Sequence, residues 1–133
     1  RATFAWPEVT LGIPTIVGAI RLPRRVAWAD AMELLLTGET IDAGRAAAMG
    51  LVWRISDHDR LMDDARSLAD RLCNAAPLAA RATKEVAVRT RTMPWTEAVR
   101  FGETMRMVAA ATDDATEGLQ ARADRRPPEW QGR

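Results

Sequence analysis

The chain has 133 residues, enough for one domain that buries roughly two-thirds of the surface its unfolded form exposes. Apolar residues make up 47% and charged residues 28%, the balance of a folded globular protein. A formal charge of +1 offers no basic surplus for nucleic-acid or membrane-surface binding, and no apolar run approaches the ~20 residues of a membrane-spanning helix. One cysteine, Cys73, makes no internal disulfide, and no secretory leader pattern is found, so a reducing cytoplasm is the expected compartment. Only Lys84 among the 19 basic residues is lysine, a bias that, with the many alanines, fits a bacterium with GC-rich DNA. Arg1 opens directly on an apolar, strand-like stretch, as expected of a segment of a longer chain.

In chain order, Thr3 to Leu11 carries Phe4, Trp6, Val9 and Leu11 around Pro7 and predicts a short strand running into a loop. Gly12, Pro14 and Gly18 predict an irregular stretch, punctuated again by Pro23. Val26, Ala29, Met32, Leu35 and Leu36 recur at helical spacing within 24–37, with Gly38 at the C-cap position. Asp42 can cap a short helix through Met49, and Leu51 to Ile55 predicts a brief strand. Four helices are then expected: from Asp57 to about Asn74, from Pro77 to about Arg89, from Pro94 to Ala111, and from Asp113 to about Asp124. Asp113 and Asp114 place negative charge at the positive end of the last one. Pro127 and Pro128 forbid its continuation, leaving an extended tail over 129–133. The chain therefore reads as mostly helical, with two short strands that belong to a larger sheet.

Candidate chemistry is sparse. His58 has no second histidine to share a metal or a triad, and its polar surroundings read as a solvated loop. Cys73 reads as a small core or boundary residue, and the five tryptophans are scattered as packing or interface residues. No phosphate-binding glycine loop and no metal site are expected. Most acidic residues sit three or four positions from an arginine on a helix face. Glu8 differs, because it follows a proline at a strand end and precedes a glycine-proline loop. A half-buried carboxylate there suits proton transfer near neutral pH, since burial disfavours the charged form.

The words around Glu8 extend this reading. Phe4-Ala5-Trp6-Pro7-Glu8-Val9-Thr10-Leu11-Gly12-Ile13-Pro14, then Arg21-Leu22-Pro23-Arg24, then Ala31 to Gly38 with Ile41-Asp42-Ala43, then Ala48-Met49-Gly50-Leu51-Val52, follow one another in order. Pro77-Leu78-Ala79 with Thr83-Lys84, Asp113 to Gly118, and Arg126 to Arg133 complete the set. The ordered set resembles the crotonase (enoyl-CoA hydratase/isomerase) superfamily over essentially the whole chain. The resemblance implies an α/β fold, a crotonase-like spiral of ββα units, of which this chain supplies the mostly helical C-terminal part. Residues 1–56 would end the spiral core, and residues 57–133 would form a helical trimerisation region with its tail.

The resemblance also implies an acyl-CoA substrate. Two glutamates in such enzymes activate the water that adds to an α,β-unsaturated thioester, and Glu8 matches the second. Two backbone N–H groups stabilise the enolate; these and the first glutamate belong to family segments expected ahead of Arg1. Arg125 matches a basic position that contacts coenzyme A phosphates, and Pro7, Gly12 and Thr15 are the other substrate-binding positions implied. Coenzyme A comes as part of the substrate, with no separate cofactor, and a homotrimer or dimer of trimers is implied. There are two departures. Thr15-Ile16-Val17-Gly18-Ala19-Ile20 replaces a glycine-rich run and is one residue shorter, and Arg122 stands where an aromatic residue often sits. The leading expectation is an enoyl-CoA hydratase. The alternatives are an isomerase or another acyl-CoA dehydratase of the same family, or a non-catalytic helical interaction module.

Overall fold

The computed structural model describes all 133 residues and divides into two compact units, Arg1–Asp64 and Ala65–Arg133. The first unit holds β1 (Thr3–Phe4), α1 (Ile16–Arg21), α2 (Trp28–Thr37), β2 (Ile41–Asp42) and α3 (Ala43–Ala48). The division falls inside α4 (Leu61–Cys73). The second unit holds α5 (Pro77–Arg89), α6 (Trp95–Ala110) and α7 (Asp113–Asp124). No helix is long and apolar enough to cross a membrane.

β1 and β2 pair antiparallel, Thr3 opposite Asp42 and Phe4 opposite Ile41. The core cluster is Leu22, Val26, Ala31, Leu34, Leu35, Ile41 and Ala46, with Phe4, Trp6 and Met32 packed against it. Gly38 ends α2 at φ 69°, the left-handed conformation that the sequence predicted for its cap. Asp42 caps α3 as expected, accepting the Arg45 N–H at 2.8 Å. α5 begins at Pro77 and ends at Arg89, as its proline and periodicity predicted.

Several expectations are corrected. The short strand predicted within Thr3 to Leu11 ends at Phe4, and the loop expected after it is a 3-10 helix, Pro7–Leu11. Pro7 cannot donate to a ladder and has a fixed φ, which suits the first position of a helical turn. Thr10 Oγ1 closes that turn by donating to the Pro7 carbonyl at 2.7 Å. The stretch after it is not wholly irregular, since Thr15 stands extended as the N-cap of α1. α2 starts at Trp28 rather than Arg24, because Pro23 lies in a separate 3-10 turn, Leu22–Arg24. Leu51–Ile55 is no strand: the Leu51 and Val52 N–H groups turn back to the Ala46 carbonyl at 2.9 and 3.2 Å. Asp57 makes no side-chain cap, and a 3-10 turn over His58–Arg60 precedes α4. Pro94 lies at the N-cap of α6, one position before the first turn. Cys73 is exposed, as are Trp28, Trp53 and Trp95, which therefore pack no core within this chain.

Candidate active site

Glu8 is the second residue of the 3-10 helix and is half-buried. Its backbone carbonyl accepts the Ile13 N–H at 3.2 Å, and Gly12 turns the chain at φ 76° between them. A short, doubly closed turn fixes the backbone that carries the carboxylate. Its Oε2 atom is buried and has no hydrogen-bond partner. Buried polar atoms are nearly always paired, which sets this oxygen apart from the other buried side-chain oxygens of the chain.

Two contacts brace this turn, and neither was read from the sequence. Gly18, in α1, is buried against the Trp6 side chain: a Cβ at 18 would stand 2.5 Å from Trp6 Cδ1 and 2.6 Å from Thr15 Oγ1. Thr15 is only 8% exposed and makes no cap hydrogen bond with its side chain, so it serves as packing in the shortened segment. Gly38 approaches from the end of α2, where a Cβ would meet Thr10 Cγ2 at 2.9 Å and Pro7 Cα at 3.3 Å. The sequence signalled Gly38 as a helix cap; nothing in it announced that the cap lies against Pro7. Pro7, Glu8, Gly12 and Thr15 thus belong to one braced segment of the first unit.

Arg125 belongs to the second unit and is exposed. It ends α7 at φ 54° and ψ 38°. Beside it, the tail is fastened to α7 by two carboxylates. Asp114, 2% exposed, accepts the Gln131 N–H at 2.6 Å and the Gly132 N–H at 2.9 Å. Glu117 accepts both Arg126 Nη1 at 2.6 Å and Nη2 at 2.8 Å, and also the Glu129 N–H at 2.8 Å. The Arg126 guanidinium, followed by the Glu129 N–H, holds the Glu117 carboxyl down at about 2. Trp130 lies over Gly118 and donates its Nε1–H to the Asn74 carbonyl at 3.0 Å. The sequence showed Asp113 and Asp114 as helix-start charges. In the structure Thr112 is the N-cap, and the three-residue spacing of Asp114 and Glu117 puts both on the face that receives the tail. Arg122 remains exposed on α7.

With this geometry in place, comparison with known proteins is specific. The enoyl-CoA hydratase/isomerase family matches residues 1–133. The carnitinyl-CoA dehydratase of Citrobacter koseri is 42% identical over 138 aligned residues, which take in 100% of this chain and 53% of that protein. The carnitinyl-CoA dehydratase of Salmonella agona is 41% identical with the same coverage. The chain thus spans about half the length of the curated relatives it matches. Among solved structures, an enoyl-CoA hydratase/isomerase from Mycobacterium paratuberculosis superposes with a TM-score of 0.96 at 36% identity, covering 100% of this chain and 53% of that one. An enoyl-CoA hydratase from Bacillus anthracis gives a TM-score of 0.96 at 29% identity, covering 100% and 52%. The chain has the mostly helical C-terminal part of the crotonase fold, and it belongs to the enoyl-CoA hydratase/isomerase family.

Proposed function

We propose that the intact protein adds water reversibly across the double bond of a 2-enoyl-CoA, with Glu8 as a general acid/base. The observation that carries this reading is the buried, unpartnered Oε2 of Glu8 on a rigid turn. A buried oxygen without a partner has given up its hydration, and a water or a transferred proton restores the missing bond. In the hydration direction the water oxygen bonds to C3 of the enoyl group while a carboxylate takes its proton. A proton is delivered to C2, and the thioester passes through an enolate whose oxygen needs two aligned N–H donors. In this reading those donors and the first glutamate lie in a part of the fold outside residues 1–133.

Coenzyme A enters as part of the substrate, with no separate cofactor. Arg125 pairs with one of its phosphates, a match for an always-charged fork of donors. Pro7, Gly12 and Thr15 shape the wall beside Glu8. A cytoplasmic homotrimer or dimer of trimers, acting in fatty acid metabolism, is the setting proposed. The identity to two carnitinyl-CoA dehydratases favours a second reading, in which the same groups remove water from an acyl-CoA of that kind.

A panel of acyl-CoA thioesters tests the proposal on the intact protein. Hydration is expected as loss of the conjugated thioester's ultraviolet absorbance with gain of one water by mass, and dehydration as the reverse. Migration of the double bond without water would replace the hydratase reading by an isomerase. Turnover of no thioester would end both readings.

A further inference from the structure

Arg125 is the only residue other than glycine with a positive φ. It closes α7 in a left-handed turn, with the Arg126 N–H reaching the Ala121 carbonyl at 3.0 Å and its own N–H the Arg122 carbonyl at 3.3 Å. Glycine is the usual occupant of this place, because a Cβ crowds the following carbonyl. An arginine there is held against a local cost, and an outlier of this kind points to a use for its side chain.

The two adjacent arginines have different surroundings. Arg126 is engaged by Glu117 through two parallel bonds and lies 3.6 Å from Asp124. Arg125 is exposed and pairs with no carboxylate. The bidentate clamp fixes Arg126, and with it the peptide that it shares with Arg125. Three residues after Arg126 the Glu129 N–H binds the same Glu117, and the Gln131 and Gly132 N–H groups bind buried Asp114. The chain on the C-terminal side of Arg125 is thus tied to α7 at two carboxylates, while α7 itself holds the other side.

We propose that Asp114, Glu117 and Arg126 are positioning residues that hold Arg125 in its left-handed turn, so that its free guanidinium meets a phosphate of the coenzyme A moiety. This rests on the reading of Arg125 given under Proposed function. It adds that phosphate recognition is set by a clamp of residues that do not themselves touch the substrate.

The test uses the intact protein and two thioesters of the same acyl group, one on coenzyme A and one on pantetheine, which has no phosphate. E117Q and R126A should each raise KM for the coenzyme A thioester by about ten-fold, the scale of one charge-assisted contact. They should leave kcat within about two-fold and KM for the pantetheine thioester unchanged. The double variant should be no worse than either single one, because both break the same clamp. R125G should raise Tm by relieving the left-handed turn, yet lose the preference for coenzyme A over pantetheine. Equal losses on both thioesters would mean that the tail only braces the fold, and no loss would mean that the clamp does not set Arg125. Either result overturns the proposal. If R125A itself keeps the full preference for coenzyme A, the phosphate reading of Arg125 fails first, and this proposal falls with it.

Discussion

Replacing Gly18 by alanine sets two physical effects against each other, with the sign of the outcome as the readout. In an ordinary helix interior the change stabilises by about 1 kcal/mol, because glycine has the larger conformational freedom to lose. Here the new methyl would stand 2.5 Å from Trp6 Cδ1, 2.9 Å from Trp6 Nε1 and 2.6 Å from Thr15 Oγ1. Carbon atoms in contact prefer roughly 3.5–4 Å, so the neighbours must open by about 1 Å. Neither yields easily, since Thr15 is buried and Trp6 packs on the core cluster. Overpacking of this kind costs about 1–3 kcal/mol, and contacts as short as 2.5 Å to two hemmed-in side chains belong to the upper part of that range, which leaves a net loss of up to about 2 kcal/mol after the helix term. Urea unfolding of the intact protein should show a lower midpoint at an unchanged slope. Because Trp6 lies two residues before Glu8, turnover should fall as well; a shift near 1 Å at a reacting group can cost about 10²-fold. A G18A protein more stable than its parent by about 1 kcal/mol, with normal turnover, would refute the account of how α1 braces the Glu8 turn.

The tail gives two further predictions. Asp114→Asn keeps one acceptor for the Gln131 and Gly132 amides but turns an NH2 group toward the other, a loss of about 2–3 kcal/mol for one charged hydrogen bond and a stranded donor. Hydrogen exchange at those two amides should accelerate by about 10²-fold, and unchanged protection would contradict the assignment. Glu117 has its carboxyl lowered from 4.5 to about 2, chiefly by Arg126. A lowered acid contributes stability that is fully present above its unfolded value and is lost as pH falls through the folded one. The stability difference between the parent and E117Q should therefore be constant at neutral pH and shrink from about pH 4.5 toward pH 2. A difference that grows over that window has the wrong sign. Gly38→Ala should also destabilise, since a side chain at φ 69° is strained and its Cβ would press on Thr10 and Pro7; unchanged thermal stability would mean that the cap does not support the turn.

Helices with a periodic apolar face and a clear punctuating residue were legible in the sequence. Pro77 marked the start of α5, Gly38 the end of α2, and Asp42 the cap of α3, because each acts through local chemistry. The stretch around Glu8 was misread where local and longer-range effects compete. Val9 and Leu11 have strand propensity, but Pro7 and the Thr10 hydroxyl favour a tight turn, and the turn wins. Leu51 and Val52 look like strand residues because they are apolar, yet their N–H groups are spent on Ala46, so no ladder forms. Glu8 itself was singled out through its proline and glycine neighbours and through the ordered family words. Its unpaired oxygen, the Gly18–Trp6 approach and the carboxylate clamp on the tail are tertiary facts with no local period to reveal them.

The most direct test of the central claim is the turnover of Glu8→Gln in the intact protein on whichever acyl-CoA the panel identifies. Glutamine keeps the size of the side chain but cannot exchange a proton. The account predicts kcat lower by roughly 10²–10⁴-fold, with KM and thermal stability close to those of the parent. Turnover equal to that of the parent would mean that the buried oxygen of Glu8 has no part in the chemistry.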